Sequence, residues 1–114
     1  MSNLQFVAEI QSFSDAVAFL GGRESRKLAH NTWVEDLGEG EVGVRYHKTY
    51  IVVYREGSAA LSNGGWNTVT TSHRIHRLIP AQYRVGIRKG LMTLTRPDES
   101  EEIFRFFDTL NIVI

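Results

Sequence analysis

Residues Val42–Leu61, VGVRYHKTYIVVYREGSAAL, decide the fold. In Val42–His47, the residues Val42, Val44 and Tyr46 alternate with Gly43, Arg45 and His47, the period of a strand with one apolar face. Thr49–Arg55 (TYIVVYR) is β-branched and aromatic, apolar on both faces, and predicts a central strand covered on each side. Glu56-Gly57-Ser58 turns the chain, and Ala59–Leu61 continues the sheet. Extended runs joined by tight turns predict an antiparallel meander.

Toward the N-terminus, Gly38-Glu39-Gly40 supplies another turn, and Asn31–Leu37 (NTWVEDL) another strand, carrying Trp33. Arg23–Lys27 (RESRK) reads as a charged, solvated link. Before it, Asp15–Leu20 reads as a short helix capped by Ser12 or Ser14, with Asp15 near the positive end of the dipole and Gly21-Gly22 as its stop. Met1–Ile10 alternates weakly, as an edge strand or an ordered arm would.

Toward the C-terminus comes Ser62–Pro80, SNGGWNTVTTSHRIHRLIP. Asn63-Gly64-Gly65 tolerates positive φ and reverses the chain, and Trp66 reads as a packing anchor. Asn67–Thr70 favours extended structure, after which Thr71 or Ser72 caps a helix over His73–Ile79 that Pro80 stops. At 100° per residue, Ile75, Leu78 and Ile79 share one face, while His73, His76 and Arg77 share the opposite one with Arg74 on the flank. The cationic side is therefore expected in water. Tyr83–Lys89 and Leu91–Thr95 flank the hairpin signal Lys89-Gly90. Asp98–Leu110 is open between helix and loop plus strand: acids lead it, and Ile103, Phe106, Phe107 and Leu110 fall at helical spacing. Asn111–Ile114 reads as a closing strand or an apolar tail.

The fold class expected is α+β: one domain, residues 1–114, with a twisted antiparallel meander of five or more strands and two or three short helices. Apolar and charged fractions of 42% and 23% argue against disorder. The absence of Cys excludes disulfides and thiolate metal sites. No run approaches the roughly 20 apolar residues of a membrane span, and the N-terminus lacks a signal-peptide pattern, so neither a membrane partner nor a signal peptide is expected. Net charge is zero, yet Gly57–Pro97 holds six cations (Arg74, Arg77, Arg84, Arg88, Lys89 and Arg96) and no acid. Separated signs can build a basic face, unless folding interleaves them.

Asn31-Thr32 with Val44, Arg45, His47 and Thr49, then Ser62, Gly64, Gly65, Trp66, Thr68, Thr70, Thr71, Arg74, Ile75, Leu78 and Pro80, follow the pattern NT…VxVRxHxT…SxGGWxTxTTxxRIxxxLP. With these residues the chain resembles a family of small proteins common in bacteriophage and prophage genomes. The likeness runs over Leu28–Pro80 and continues to the ending FFDTLNIVI, where Thr109 stands in place of the family's Gly. The resemblance implies phage origin and action inside a bacterial host cell. It also implies an accessory factor that binds host or phage macromolecules, some such proteins being counter-defence inhibitors of the anti-CRISPR kind. It supplies no catalytic residues.

Four chemistries compete in these residues. Free N–H groups at the start of the second helix, with Thr71, Ser72, Arg74 and Arg77, could gather a phosphate or carboxylate. Arg45 and His47 with Tyr50 or Tyr54 could stack unpaired bases on the sheet. His73 and His76 with His47 or His30 form a weak metal pattern lacking acidic partners. The same histidines would serve a small His-dependent enzyme, though no carboxylate pair or nucleophile motif stands out. GEGEVG over Gly38–Gly43 matches a dinucleotide fingerprint only formally, since it joins two strands and its glutamates repel phosphate. The acids Asp98–Glu102 read as a helix start, or more remotely as a mimic of nucleic acid.

The function expected is therefore non-catalytic: an accessory protein binding a host or phage protein or nucleoprotein complex, with no cofactor or metal. The binding patch expected is Trp66, Thr71, His73, Arg74, His76 and Arg77, extended to Arg45 and His47. Alternatives are a nucleic-acid module using the basic residues 57–97 and the His-dependent enzyme. An exposed edge strand could pair two copies as a homodimer.

Overall fold

The computed structural model describes residues 6–106 and 108–114, and the chain is α+β. Helix α1 (Phe13–Leu20) leads into β1 (Ser25–Ala29), β2 (Thr32–Gly38), β3 (Glu41–Tyr46), β4 (Thr49–Arg55) and β5 (Ser58–Leu61). Helix α2 (Val69–Arg77) follows, then β6 (Arg84–Arg88), β7 (Leu91–Thr95), β8 (Glu101–Ile103) and β9 (Leu110–Val113). The meander β1 to β5 is antiparallel, and β9 returns beside β5 to complete a six-stranded sheet. β6, β7 and β8 form a second, three-stranded sheet.

Alternation sets the inner face of the large sheet. Val34, Val44, Val52, Leu61 and Leu110 lie side by side across five strands, all buried. α1 packs on this sheet, capped by Ser12, whose hydroxyl accepts from Asp15 N–H, and stopped by Gly21 in the left-handed conformation. Ile75, Leu78 and Ile79 are buried as their spacing requires, and Val85, Met92 and Leu94 bring the small sheet into the same core. The Tyr54 hydroxyl donates to the Leu78 carbonyl and so ties the end of α2 to β4. Burial raises the Tyr54 pKa well above that of a free phenol, so it stays a donor.

Several expectations are corrected. β4 is central but is not covered on both faces, since Tyr50 is 37% exposed. The register runs from Val44–Val52 to Arg45–Tyr50, so Ile51 is an extra bulge residue, and Ile51 and Val52 are buried in succession. Arg23–Lys27 is not a link alone, because β1 begins at Ser25 with its first three residues exposed. Asn67–Thr70 does not stay extended: Thr68, not Thr71 or Ser72, caps α2, accepting from Thr71 N–H. Between Asp98 and Leu110 the described residues form no helix; β8 pairs with β7, and a loop leads to β9. That loop turns ahead of Asp108, whose N–H donates to Arg105 O, and Thr109 follows outside the turn. Phe6–Ile10 is an arm, with Val7 N–H donating to Leu28 O and Ile10 buried. Expectations for residues 1–5 and Phe107 lie outside the described residues.

Candidate binding cleft

Three loops meet at one end of the large sheet. His30-Asn31 joins β1 to β2, and His47-Lys48 joins β3 to β4. Asn31 and His47 both take positive φ, uncommon for residues with side chains, and the N–H of His47 donates to Asn31 O at 2.9 Å. The third loop carries Gly64-Gly65-Trp66 from β5 to α2. Between them lies a cleft of about 750 Å³, lined by the rings of Trp33, Tyr46, His47 and Trp66, by Arg45 and Lys48, and by Asn31, Thr68 and Thr71 among others. Among the described residues no acidic side chain lines it.

The glycine loop is held by close approach as well as by turn conformation. A Cβ on Gly64 would stand 2.5 Å from Thr49 Oγ1, and one on Gly65 would stand 2.1 Å from the Phe106 ring. Asn63 is buried and staples the loop: its Oδ1 accepts from Gly65 N–H, its Nδ2 donates to Asn67 Oδ1, and its carbonyl accepts from Trp66 N–H. Trp66, expected as a packing anchor, is instead 64% exposed. A rigid loop thus presents a large ring to solvent, an arrangement that lowers the ordering cost of binding.

Four of the eight residues expected at the site line this cleft: Trp66, Thr71, Arg45 and His47. Arg45 is engaged already. Its Nε and Nη2 meet Glu35 at 2.8 Å each, and its Nη1 donates to His47 O. Burial alone would raise the Glu35 pKa, but the hydrogen bonds from Arg45 and Tyr50 outweigh it and hold the carboxylate below its usual range. Lys48 makes no ion pair among the described residues, which leaves it the uncommitted cation of the cleft.

Of the expected outward cationic face, His73 and His76 are exposed and Arg77 is half-exposed, but Arg74 turns inward. It is 2% exposed, with Nε donating to Thr32 Oγ1 at 3.0 Å and Nη2 to His30 O at 3.3 Å. Its guanidinium lies 4.4 Å over the Tyr46 ring, and burial lowers its pKa, offset in part by Tyr46. It therefore braces the wall of the cleft from behind. Arg77 pairs with Glu9 at 2.8 Å and stacks over Phe6, so the N-terminal arm covers it. His73 is exposed, and His76 lies toward the small sheet, where its Nδ1 accepts from Val85 N–H. His47 and His76 are thus in different places, and among the described residues no three His, Asp or Glu side chains gather as metal ligands. Tyr54 is buried and offers no stacking face, while Tyr50 is exposed, donates its hydroxyl to Glu35 and lies outside the cleft lining.

The basic stretch is interleaved with acids from its flanks. Arg84 pairs with Glu99, Arg88 with Glu101 and Arg96 with Glu102. β8 supplies two of those carboxylates directly beside β7.

Compared with known families, the chain matches the family described as Kyanoviridae Gp96 protein over residues 11–111. The chain belongs to this family. The Kyanoviridae Gp96 assignment makes it a phage-encoded protein, as the sequence pattern implied. The description carries no activity, so membership fixes origin and not chemistry. No curated protein and no solved structure matches the chain. In this Gp96 family member, sequence reasoning missed Asn31, Trp33, Lys48 and Asn63 at the cleft. Asn31 and Lys48 sit in hairpin loops whose convergence is set by strand register, which no local pattern displays.

Proposed function

We propose that this protein is a non-catalytic phage accessory factor that holds a host or phage macromolecule at the cleft around Trp66. The observation that carries the reading is a tryptophan 64% exposed on a loop fixed by buried Asn63. Exposed aromatics on rigid supports are the usual anchors of recognition sites. The cleft lining, aromatic with a few polar groups, suits binding without the acid–base pair that catalysis needs. Action within the host cell, including interference with a host defence complex, fits the phage setting and belongs to this proposal.

The test is capture of partners from infected host cells by a tagged protein, with protein and nucleic acid of the eluate both identified. Trp66→Ala combined with Lys48→Glu is expected to keep the wild-type melting temperature and lose the partner. Full retention of the partner by that folded variant would move the site away from the cleft.

A further inference from the structure

We infer that the cleft takes an unpaired nucleotide of a single-stranded nucleic acid, with its base against Trp66 and its phosphate near Lys48. The inference rests on the cleft being the binding site and names its ligand class. Four features carry it. Both tryptophans of the chain line the cleft, and Tyr46 and His47 add two more rings with centroids 4.4 Å apart. Flat rings with one open face are what an unstacked base requires, whatever its sequence. Among the described residues the lining holds no carboxylate, and Lys48 supplies a cation with no internal ion pair. Asn31, in the left-handed conformation on the rim, makes no side-chain hydrogen bond among the described residues, so its amide can read a base edge. A volume of about 750 Å³ accommodates one nucleotide with its sugar.

A duplex does not fit, because paired bases present edges and not faces. A peptide strand fits less well. Strand addition needs a free sheet edge, and here the cleft sits at strand ends, where His47 N–H and Asn31 O already satisfy each other. With Lys48 the one uncommitted cation among the described residues of the lining, binding is expected to be carried by stacking, with a shallow dependence on salt.

The test uses the whole protein and fluorescently labelled oligothymidylate and oligouridylate of about ten nucleotides, with a duplex of the same length as control. The expected result is a rise in anisotropy with the single strands and none with the duplex. Quenching of the intrinsic tryptophan fluorescence should accompany it, since both indoles are in the cleft. Trp66→Ala should weaken single-strand binding by roughly five- to hundredfold, the loss of one stack. Lys48→Gln should flatten the salt dependence, and Lys89→Gln on the small sheet should change neither quantity. Comparison of the two oligonucleotides tells whether the natural strand is DNA or RNA. Absence of single-strand binding at low salt, equal binding of the duplex, or indifference to Trp66→Ala would each overturn the inference. If the single strands fail while Trp66→Ala with Lys48→Glu still loses its cellular partner, the ligand class falls and the cleft stands.

Discussion

Arg74 shows what a single buried charge does in this molecule. Its aliphatic stem and guanidinium fill space between α2, Thr32 and Tyr46, and its Nη1 is buried without a hydrogen-bond partner among the described residues. Arg74→Glu puts an uncompensated carboxylate in that place, which costs about 3–5 kcal/mol, a large part of a domain's stability. The variant is expected to be largely unfolded by circular dichroism, whereas Arg74→Met, which keeps the volume, stays folded with a loss of at most about 2 kcal/mol in denaturant melts. Helical spacing placed Arg74 on the flank of α2; it could not show that His30 and Thr32, more than forty residues earlier, close over that flank. His76 gives a pH signature. Although the side chain is exposed, partial desolvation first, then the charges of His73 and Arg84, lower its pKa below that of a free imidazole, and accepting from Val85 N–H requires an unprotonated Nδ1. Its contribution is fully present above the unfolded pKa and is lost as pH falls through the folded one. Thermal melts between about pH 7.5 and 5.5 should show wild type losing more stability than His76→Gln, which accepts the same bond without titrating. Equal losses would remove this role.

At the scale of elements, the loop Asn63–Trp66 and the closing strand β9 make separate demands. Asn63→Ala leaves Gly65 N–H without its acceptor and is expected to cost about 1–3 kcal/mol, with Trp66 more accessible to acrylamide quenching. Gly64→Ala meets Thr49 and requires an unfavourable φ, so it should destabilise more than an exposed loop substitution would. β9 is an edge strand, but its outward carbonyls are used: Tyr83 donates to Val113 O at 2.7 Å and Arg96 to Asn111 O at 3.1 Å. That edge is blunted against pairing with a second copy. The meander was legible because alternation and turn residues agree from Asn31 to Leu61. Of the second sheet, the β6–β7 hairpin was legible at Lys89-Gly90, but β8 was not: it is three exposed residues in an acidic run, which locally resembles a helix start and becomes a strand only by pairing with β7. Thr68 as the cap of α2 was equally hidden, since Thr68, Thr70, Thr71 and Ser72 offer nearly equivalent hydroxyls.

Across the whole molecule, charge is dispersed by pairing. Among the described residues six ion pairs join cations to acids on other strands, on loops or on the N-terminal arm, and those of the small sheet are exposed enough for water to weaken them. The melting temperature should therefore change little between low and moderate salt. A basic half visible in the sequence becomes a mixed surface once β8 is laid beside β7, and the cleft, not that half, carries the recognition proposed here. The most direct measurement is a photo-crosslinking walk in infected cells, with a benzoylphenylalanine placed in turn at Asn31, Lys48 and Trp66 and, for contrast, at Arg55, Arg84 and Arg88. Adducts confined to the first three positions are the result this account predicts. Adducts at Arg84 and Arg88 with none around Trp66 would contradict it.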